Sequence, residues 1–90
     1  MKINKEFMLR EVAGNYVIVP VGKAALNFKG IINLNETGAF IYKKLLEGKD
    51  EEEIKAEMMN CYDVTLEQAT LDINKIITAL KESGVIENWL

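Results

Sequence analysis

The sequence predicts an α+β fold in which a three-stranded antiparallel sheet is followed by three helices. Two observations predict it. Up to residue 34, aromatic and β-branched residues are concentrated in short segments separated by turn signals, a pattern typical of strands. From residue 35 onward, apolar residues recur at helical spacing behind capping residues. Strands and helices segregated in this way favour the α+β class.

The first two strands are predicted to form a hairpin. Residues 7–13 form the first strand and residues 16–21 form the second. Between them, Gly14-Asn15 supplies a two-residue turn, because both residue types tolerate positive φ. Pro20 cannot donate a backbone hydrogen bond, so we expect it at the end of its strand or at a bulge.

The third strand is predicted over residues 28–34, after a loop at residues 22–27. In meander order it lies at an edge of the sheet. It contains no proline and only one charged residue, Lys29, so its free N–H and C=O groups are poorly protected against pairing. That edge is open to an added peptide strand, to the tail at residues 85–90, or to a second copy of the chain.

Three capping sequences predict the helix starts. Asn35 caps the first helix, Asp50 caps the second with Glu53 placed to bond back to it, and Thr65 opens the third. Gly48 ends the first helix, and the third runs to about Ser83.

A helical wheel of the third helix separates a core arc from two flanks. The arc holds Leu66, Ala69, Ile73, Ile76, Ile77 and Leu80. One flank holds Asp72 and Ala79, the other holds Thr70, Asn74 and Lys81, and Leu71 stands nearly opposite the arc. The wheel does not decide which flank faces the third strand.

Composition excludes several kinds of catalysis. The 90 residues correspond to one domain, 1–90, and contain no histidine and one cysteine, Cys61. Mechanisms that need Ser–His or Cys–His pairs, histidine-ligated metals, an internal disulfide or a Cys-rich zinc site are therefore excluded within this chain. We expect a protein that is not an enzyme and needs no cofactor. No signal peptide or membrane-spanning segment is predicted, so a cytoplasmic protein is expected.

Charge is distributed unevenly along the chain, whose net charge is −3. Residues 1–49 hold eight Lys and Arg against four Asp and Glu, and residues 50–90 hold three Lys against ten Asp and Glu. The asymmetry reflects either solvated helix faces or a basic sheet side that attracts an acidic peptide.

Two binding hypotheses follow. Three helices with a small sheet are the content of a winged helix-turn-helix domain, so one hypothesis is a DNA-binding regulator. The acidic second helix and the mixed charges of the third oppose contact with phosphates. The other hypothesis is a peptide-binding module that adds a peptide strand to the edge of its third strand.

A set of ordered motifs resembles the PqqD family. The run from Ile31 to Ile41 is similar to the family's "LNETG/A…I" segment. The other matching positions are Leu9-Arg10, Tyr16-Val17-Ile18, Leu46-Glu47-Gly48, Glu53-Ile54, Tyr62-Asp63-Val64, Asp72-Ile73, Ile76-Ile77, Leu80, Gly84 and Val85. The resemblance spans almost the whole chain.

The resemblance implies a winged-helix-like module of ribosomal peptide biosynthesis that carries out no chemistry itself. Such modules bind the leader segment of a precursor peptide as a strand added to the third strand, in a groove against the third helix. They present the precursor to a modifying enzyme, often a radical S-adenosylmethionine enzyme. The resemblance does not fix the product, whether pyrroloquinoline quinone or another, and a homodimer stays open.

The resemblance also implies the positions of the peptide-binding residues. On the third strand they are Lys29, Gly30, Ile31, Ile32 and Asn33. On the third helix they are Asp72, Ile73, Ile76 and Ala79, with the flank of Thr70, Asn74 and Lys81 as the alternative.

Overall fold

The computed structural model describes residues 2–27 and 31–88 and confirms the α+β fold, with a three-stranded antiparallel sheet followed by three helices. The strands are β1 (Lys2–Ile3), β2 (Phe7–Val12), β3 (Asn15–Pro20), β4 (Ile32–Leu34) and β5 (Ile86–Asn88). The helices are α1 (Ala24–Asn27), α2 (Glu36–Leu46), α3 (Glu51–Cys61) and α4 (Leu66–Glu82). The main sheet has the order β2-β3-β4, and β1 pairs with β5 in a separate two-stranded sheet.

The hairpin turn lies one residue earlier than the sequence predicts. Val12 pairs with Asn15, so the turn residues are Ala13 and Gly14, with φ of 52° and 81°. This register sets Ile18 opposite Leu9. A turn one residue later would set Ile18 opposite a glutamate, so the pairing of apolar side chains outweighs the local preference of the turn.

Ala13 is the one position in the described chain where a residue other than glycine takes positive φ. The left-handed conformation costs an L-residue roughly 1–2 kcal/mol, and asparagine tolerates it better than alanine does. We therefore expect Ala13→Asn to raise the free energy of unfolding by about 0.5–1 kcal/mol. Chemical denaturation would measure the gain. Ala13→Val is the matched control and should destabilise the protein, and a loss of stability with asparagine would contradict the turn assignment.

Two further segments differ from the prediction. The predicted loop at residues 22–27 contains the one-turn helix α1, whose sequence of alanine and leucine favours helix and whose start is fixed by Glu6. The Glu6 Oε2 accepts a hydrogen bond of 2.7 Å from the Lys23 N–H. The C-terminal tail adds a strand, β5, which is one of the possibilities left open by the sequence. This strand pairs with β1 and not with the main sheet. Residues 28–30 of the predicted third strand lie outside the described residues.

Pro20 is the last residue of β3, as expected for a residue that cannot donate to the ladder. The three predicted helix caps are also confirmed. Asn35, Asp50 and Thr65 each accept a hydrogen bond from the backbone N–H three residues later, with distances of 2.7, 2.8 and 3.1 Å. The Asp50 cap is reciprocal, as predicted. At Thr65 the return bond does not form, because the Gln68 side chain donates to Asp72 instead.

The core lies between the inner face of the main sheet and helices α2, α3 and α4. In α4, the buried residues Ala69, Ile73, Ile77 and Leu80 belong to the predicted arc. Leu66 is exposed because it occupies the first residue of the helix, and Ile76 is only half-buried at the border of the arc. No described helix is both long and apolar enough to cross a membrane.

Tyr42 is fully buried on α2, and its hydroxyl has no hydrogen-bond partner among the described residues. Burial raises the pKa of Tyr42 above its ordinary value. An unpaired buried polar group costs about 1–3 kcal/mol, so we expect Tyr42→Phe to raise the free energy of unfolding by about 1 kcal/mol. Thermal and chemical denaturation would measure this change. Tyr62→Phe, at a partly exposed tyrosine, is the control and should change little. A less stable Tyr42→Phe variant would show that the hydroxyl is bonded.

Candidate functional site

Strand β4 has one neighbour in the described part of the chain. Ile32, Asn33 and Leu34 pair with Ile18, Val17 and Tyr16 of β3. In an antiparallel ladder the N–H and C=O groups of successive residues point alternately to the two sides of the strand. The side of β4 away from β3 therefore presents backbone groups that another strand can pair with.

A groove of about 250 Å³ lies beside this edge. Its walls are the end of β4, the first turn of α2 and one side of α4. It is lined by Asn33, Leu34, Asn35, Thr37, Gly38, Asp72, Lys75 and Ile76. Leu34 and Ile76 supply apolar surface, and most of the other lining residues are polar or charged. The groove can therefore hold an apolar side chain and offer hydrogen bonds around it.

Gly38 brings α2 and α4 close together at the groove. A Cβ on Gly38 would lie 2.9 Å from Ile76 Cδ1, 3.2 Å from Asn35 Oδ1 and 3.3 Å from Leu34 Cδ2. A larger residue at this position would push the Ile76 side chain from its place. The absent side chain thus allows Ile76 to lie against α2 at the floor of the groove.

Two opposite charges lie on the α4 wall. Asp72 is half-buried, and its carboxylate accepts a hydrogen bond of 2.9 Å from the Gln68 side chain. Lys75 is exposed, and no carboxylate of the described residues lies within ion-pair distance of its ammonium. The positive charge in the groove is therefore available to a ligand.

The structure brings some of the predicted peptide-binding residues together. Asn33, Asp72 and Ile76 line the groove. Ile31 is exposed just before β4, and Ile32 is half-buried against the core. Lys29 and Gly30 lie outside the described residues.

The remaining predicted residues lie away from the groove. Ile73 is fully buried in the core, and Ala79 is exposed beyond the groove. The flank of α4 beside β4 is the one that holds Asp72. The alternative flank, with Thr70, Asn74 and Lys81, contributes no lining residue. The peptide-binding role of each residue stays a prediction.

Sequence reasoning missed five lining residues: Leu34, Asn35, Thr37, Gly38 and Lys75. Lys75 lies three residues after Asp72, so helical spacing was a signal that could have placed it near the same flank. A glycine in the first turn of a helix was a further signal, because alanine would be favoured there unless another element packs closely.

The described residues contain no group of three His, Cys, Asp or Glu side chains that could hold a metal ion. The groove itself offers backbone pairing, apolar contact and charge, and these are means of binding. Fold and groove together define a small α+β domain in which β4, within the described residues, keeps one edge unpaired beside a helix.

The chain belongs to the PqqD family, because the family model for coenzyme PQQ synthesis protein D matches residues 15–86. No curated protein matches the sequence. Two solved structures share the fold. The structure of TbiB1 in complex with the TbiA(beta) leader peptide is 22% identical, with a TM-score of 0.80, and the match covers 100% of this chain and 99% of that one. The structure of lasso peptide synthetase B1 complexed with the leader peptide is 24% identical, with a TM-score of 0.74 and 92% of each chain covered.

Proposed function

We propose that this protein is a non-catalytic module that binds the leader segment of a ribosomally made precursor peptide. The observation that carries the proposal is the open edge of β4 beside the groove against α4. Membership of the PqqD family supports it. The two structures that share the fold support it too, since both are complexes with leader peptides.

The leader binds as a strand added to β4. Its backbone pairs with residues 29–33, and every second side chain points toward the groove. Backbone pairing reads no sequence, so the side chains in the groove determine specificity. Asp72 and Ile76 contact them directly, and Ala79 extends the contact along α4.

The apolar part of the groove supplies most of the affinity. Ordering a disordered leader costs roughly 1–2 kcal/mol per residue. Burying one leucine or phenylalanine against Leu34 and Ile76 contributes about 1.5–3 kcal/mol. One or two such anchors therefore decide whether a leader binds.

The bound leader is presented to a modifying enzyme. We propose a radical S-adenosylmethionine enzyme, the partner type that the family resemblance implies, acting in the cytoplasm. The likeness to a lasso peptide synthetase B1 supports a role in ribosomal peptide biosynthesis without fixing the product. Co-purification with a candidate radical S-adenosylmethionine enzyme, with and without leader peptide, tests the pairing. Absence of a complex in both conditions would contradict it.

Amide chemical-shift titration of labelled protein tests the function itself. The ligands are a candidate leader peptide, sought in genes that neighbour this one, and a DNA duplex. Saturable shifts in residues 31–38 and 72–76 with the peptide alone are the expected result. Saturable shifts with DNA alone would establish the alternative, a winged-helix DNA-binding regulator. That alternative is disfavoured by the three glutamates in the first turn of α3, which repel phosphates.

A second copy of the chain could also occupy the β4 edge. Sedimentation at increasing protein concentration distinguishes this homodimer from a monomer. If a dimer forms and leader peptide dissociates it, the two partners compete for one edge.

A further inference from the structure

We propose that Lys75 selects leaders that carry a carboxylate two residues away from the apolar residue held on Ile76. The inference rests on the proposed function and names the chemistry of the ligand. It assigns a specificity role to a residue that neither the sequence motifs nor the family match singles out.

The charge of Lys75 is available in the groove. Its side chain is exposed and has no ion-pair partner in residues 2–27 and 31–88. The nearest acidic lining residue, Asp72, is engaged by Gln68 through a hydrogen bond of 2.9 Å. An incoming carboxylate therefore meets an ammonium that forms no ion pair with the described residues, beside an Asp72 that keeps its negative charge.

The spacing of the two leader residues follows from strand geometry. In an extended peptide, side chains that point to the same side are two residues and about 6.6–6.8 Å apart. Lys75 and Ile76 are consecutive on α4, and the flexible four-carbon stem of lysine lets its ammonium reach a neighbouring position along the strand. An apolar residue on Ile76 thus places the next groove-facing side chain, two residues along, within reach of Lys75.

Among the residues that line the groove, Lys75 carries the positive charge, and the others are neutral or, at Asp72, negative. A leader with a carboxylate at the selected position is attracted by Lys75. A leader with a lysine there is repelled by Lys75, so the groove discriminates in both directions.

An exposed ion pair contributes modestly, so the selection is a matter of degree. The charge reversal Lys75→Glu removes an attraction and adds a repulsion. We therefore expect this variant to bind acidic leaders about threefold to tenfold more weakly. The effect should shrink as salt is added, because the pair lies at the rim of the groove.

The test uses a displayed library of random 15-residue peptides as the probe. Selections are run in parallel against the wild-type protein, Lys75→Glu and the control Lys5→Glu. Lys5 is exposed in the turn between β1 and β2 and does not line the groove, so its variant changes the net charge equally. Each selected peptide is then added to labelled protein, and changes in the amide chemical shifts of β4 and α4 establish whether it binds in the groove.

With the wild-type protein and with Lys5→Glu, we expect enrichment of Asp and Glu two residues from an apolar position. With Lys75→Glu, we expect Lys and Arg to be enriched at that position instead. Groove-binding peptides with the same residue preferences for all three proteins would overturn the role of Lys75 and leave the proposed function standing. Failure of the wild-type protein to enrich any peptide that shifts β4 and α4 amides would overturn the proposed function, and the role of Lys75 with it.

Discussion

Ile76→Ala is expected to weaken leader binding by tenfold or more while the protein stays folded. Ile76 is half-buried, and with Leu34 it forms the apolar surface of the groove. Truncation removes most of the area that an apolar anchor covers, and an anchor of this kind contributes about 1.5–3 kcal/mol. Tenfold corresponds to about 1.4 kcal/mol, close to the lower end of that range. Isothermal titration calorimetry with the leader peptide would measure the loss.

The fold should tolerate this change better than truncation of a fully buried residue. A fully buried isoleucine costs about 2–5 kcal/mol when truncated to alanine, and a half-buried one should cost roughly 1–2 kcal/mol. Leu71→Ala is the matched control, because Leu71 lies on the same helix, is 64% exposed and does not line the groove. It should leave both affinity and stability unchanged. An Ile76→Ala variant that binds within twofold of wild type would remove Ile76 from the binding site.

Local signals predicted most of the fold. A capping side chain acts within three residues of its own position, so Asn35, Asp50 and Thr65 could be placed from the sequence. Helical periodicity likewise acts along one element, and it gave the four buried residues of α4. The missing N–H of Pro20 limited it to the end of its strand or a bulge, and the structure places it at the end of β3.

Features that depend on distant partners could not be predicted in the same way. The turn at Ala13-Gly14 is set by pairing along the whole hairpin, which overrides the preference of glycine and asparagine at the next position. Strand β1 forms because β5 returns to it from the other end of the chain. Strand β1 has two residues and β5 has three, so neither strand is long enough to give a periodic signal of its own.

Local signals likewise predicted only part of the groove, and packing between distant elements determined the rest. The sequence placed Asp72 and Ala79 on one flank of α4 and Thr70, Asn74 and Lys81 on the other, and periodicity treats the two flanks alike. The rotation of α4 about its axis is fixed by the packing of its buried face, and this rotation turns Asp72 toward β4. Gly38 contributes by letting Ile76 approach α2, a contact between residues 38 positions apart.

Ile73→Ala is expected to lower mainly the stability of the protein, whereas Ile76→Ala is expected to weaken mainly leader binding. Ile73 is fully buried in the core cluster, three residues before Ile76 on the same helix. Its truncation should lower the free energy of unfolding by about 2–5 kcal/mol. A domain of this kind has only about 5–15 kcal/mol in total, so Ile73→Val, which should cost about 0.5–1.5 kcal/mol, keeps the protein folded for binding measurements. Chemical denaturation would measure both losses.

The binding of Ile73→Val separates the two roles that Ile73 can have. If Ile73 acts only in the core, the folded fraction should bind the leader with wild-type affinity. If it contacts the peptide, as the family resemblance implies, the affinity should fall although the protein remains folded. Ile76→Val removes one methylene from the groove instead, so the pair compares the same chemical change at a core position and at a groove position. A loss of affinity confined to Ile76→Val would place the recognition surface on the Asp72–Ile76 flank. Equal losses of affinity in Ile73→Val and Ile76→Val would require α4 to turn Ile73 outward when the leader binds.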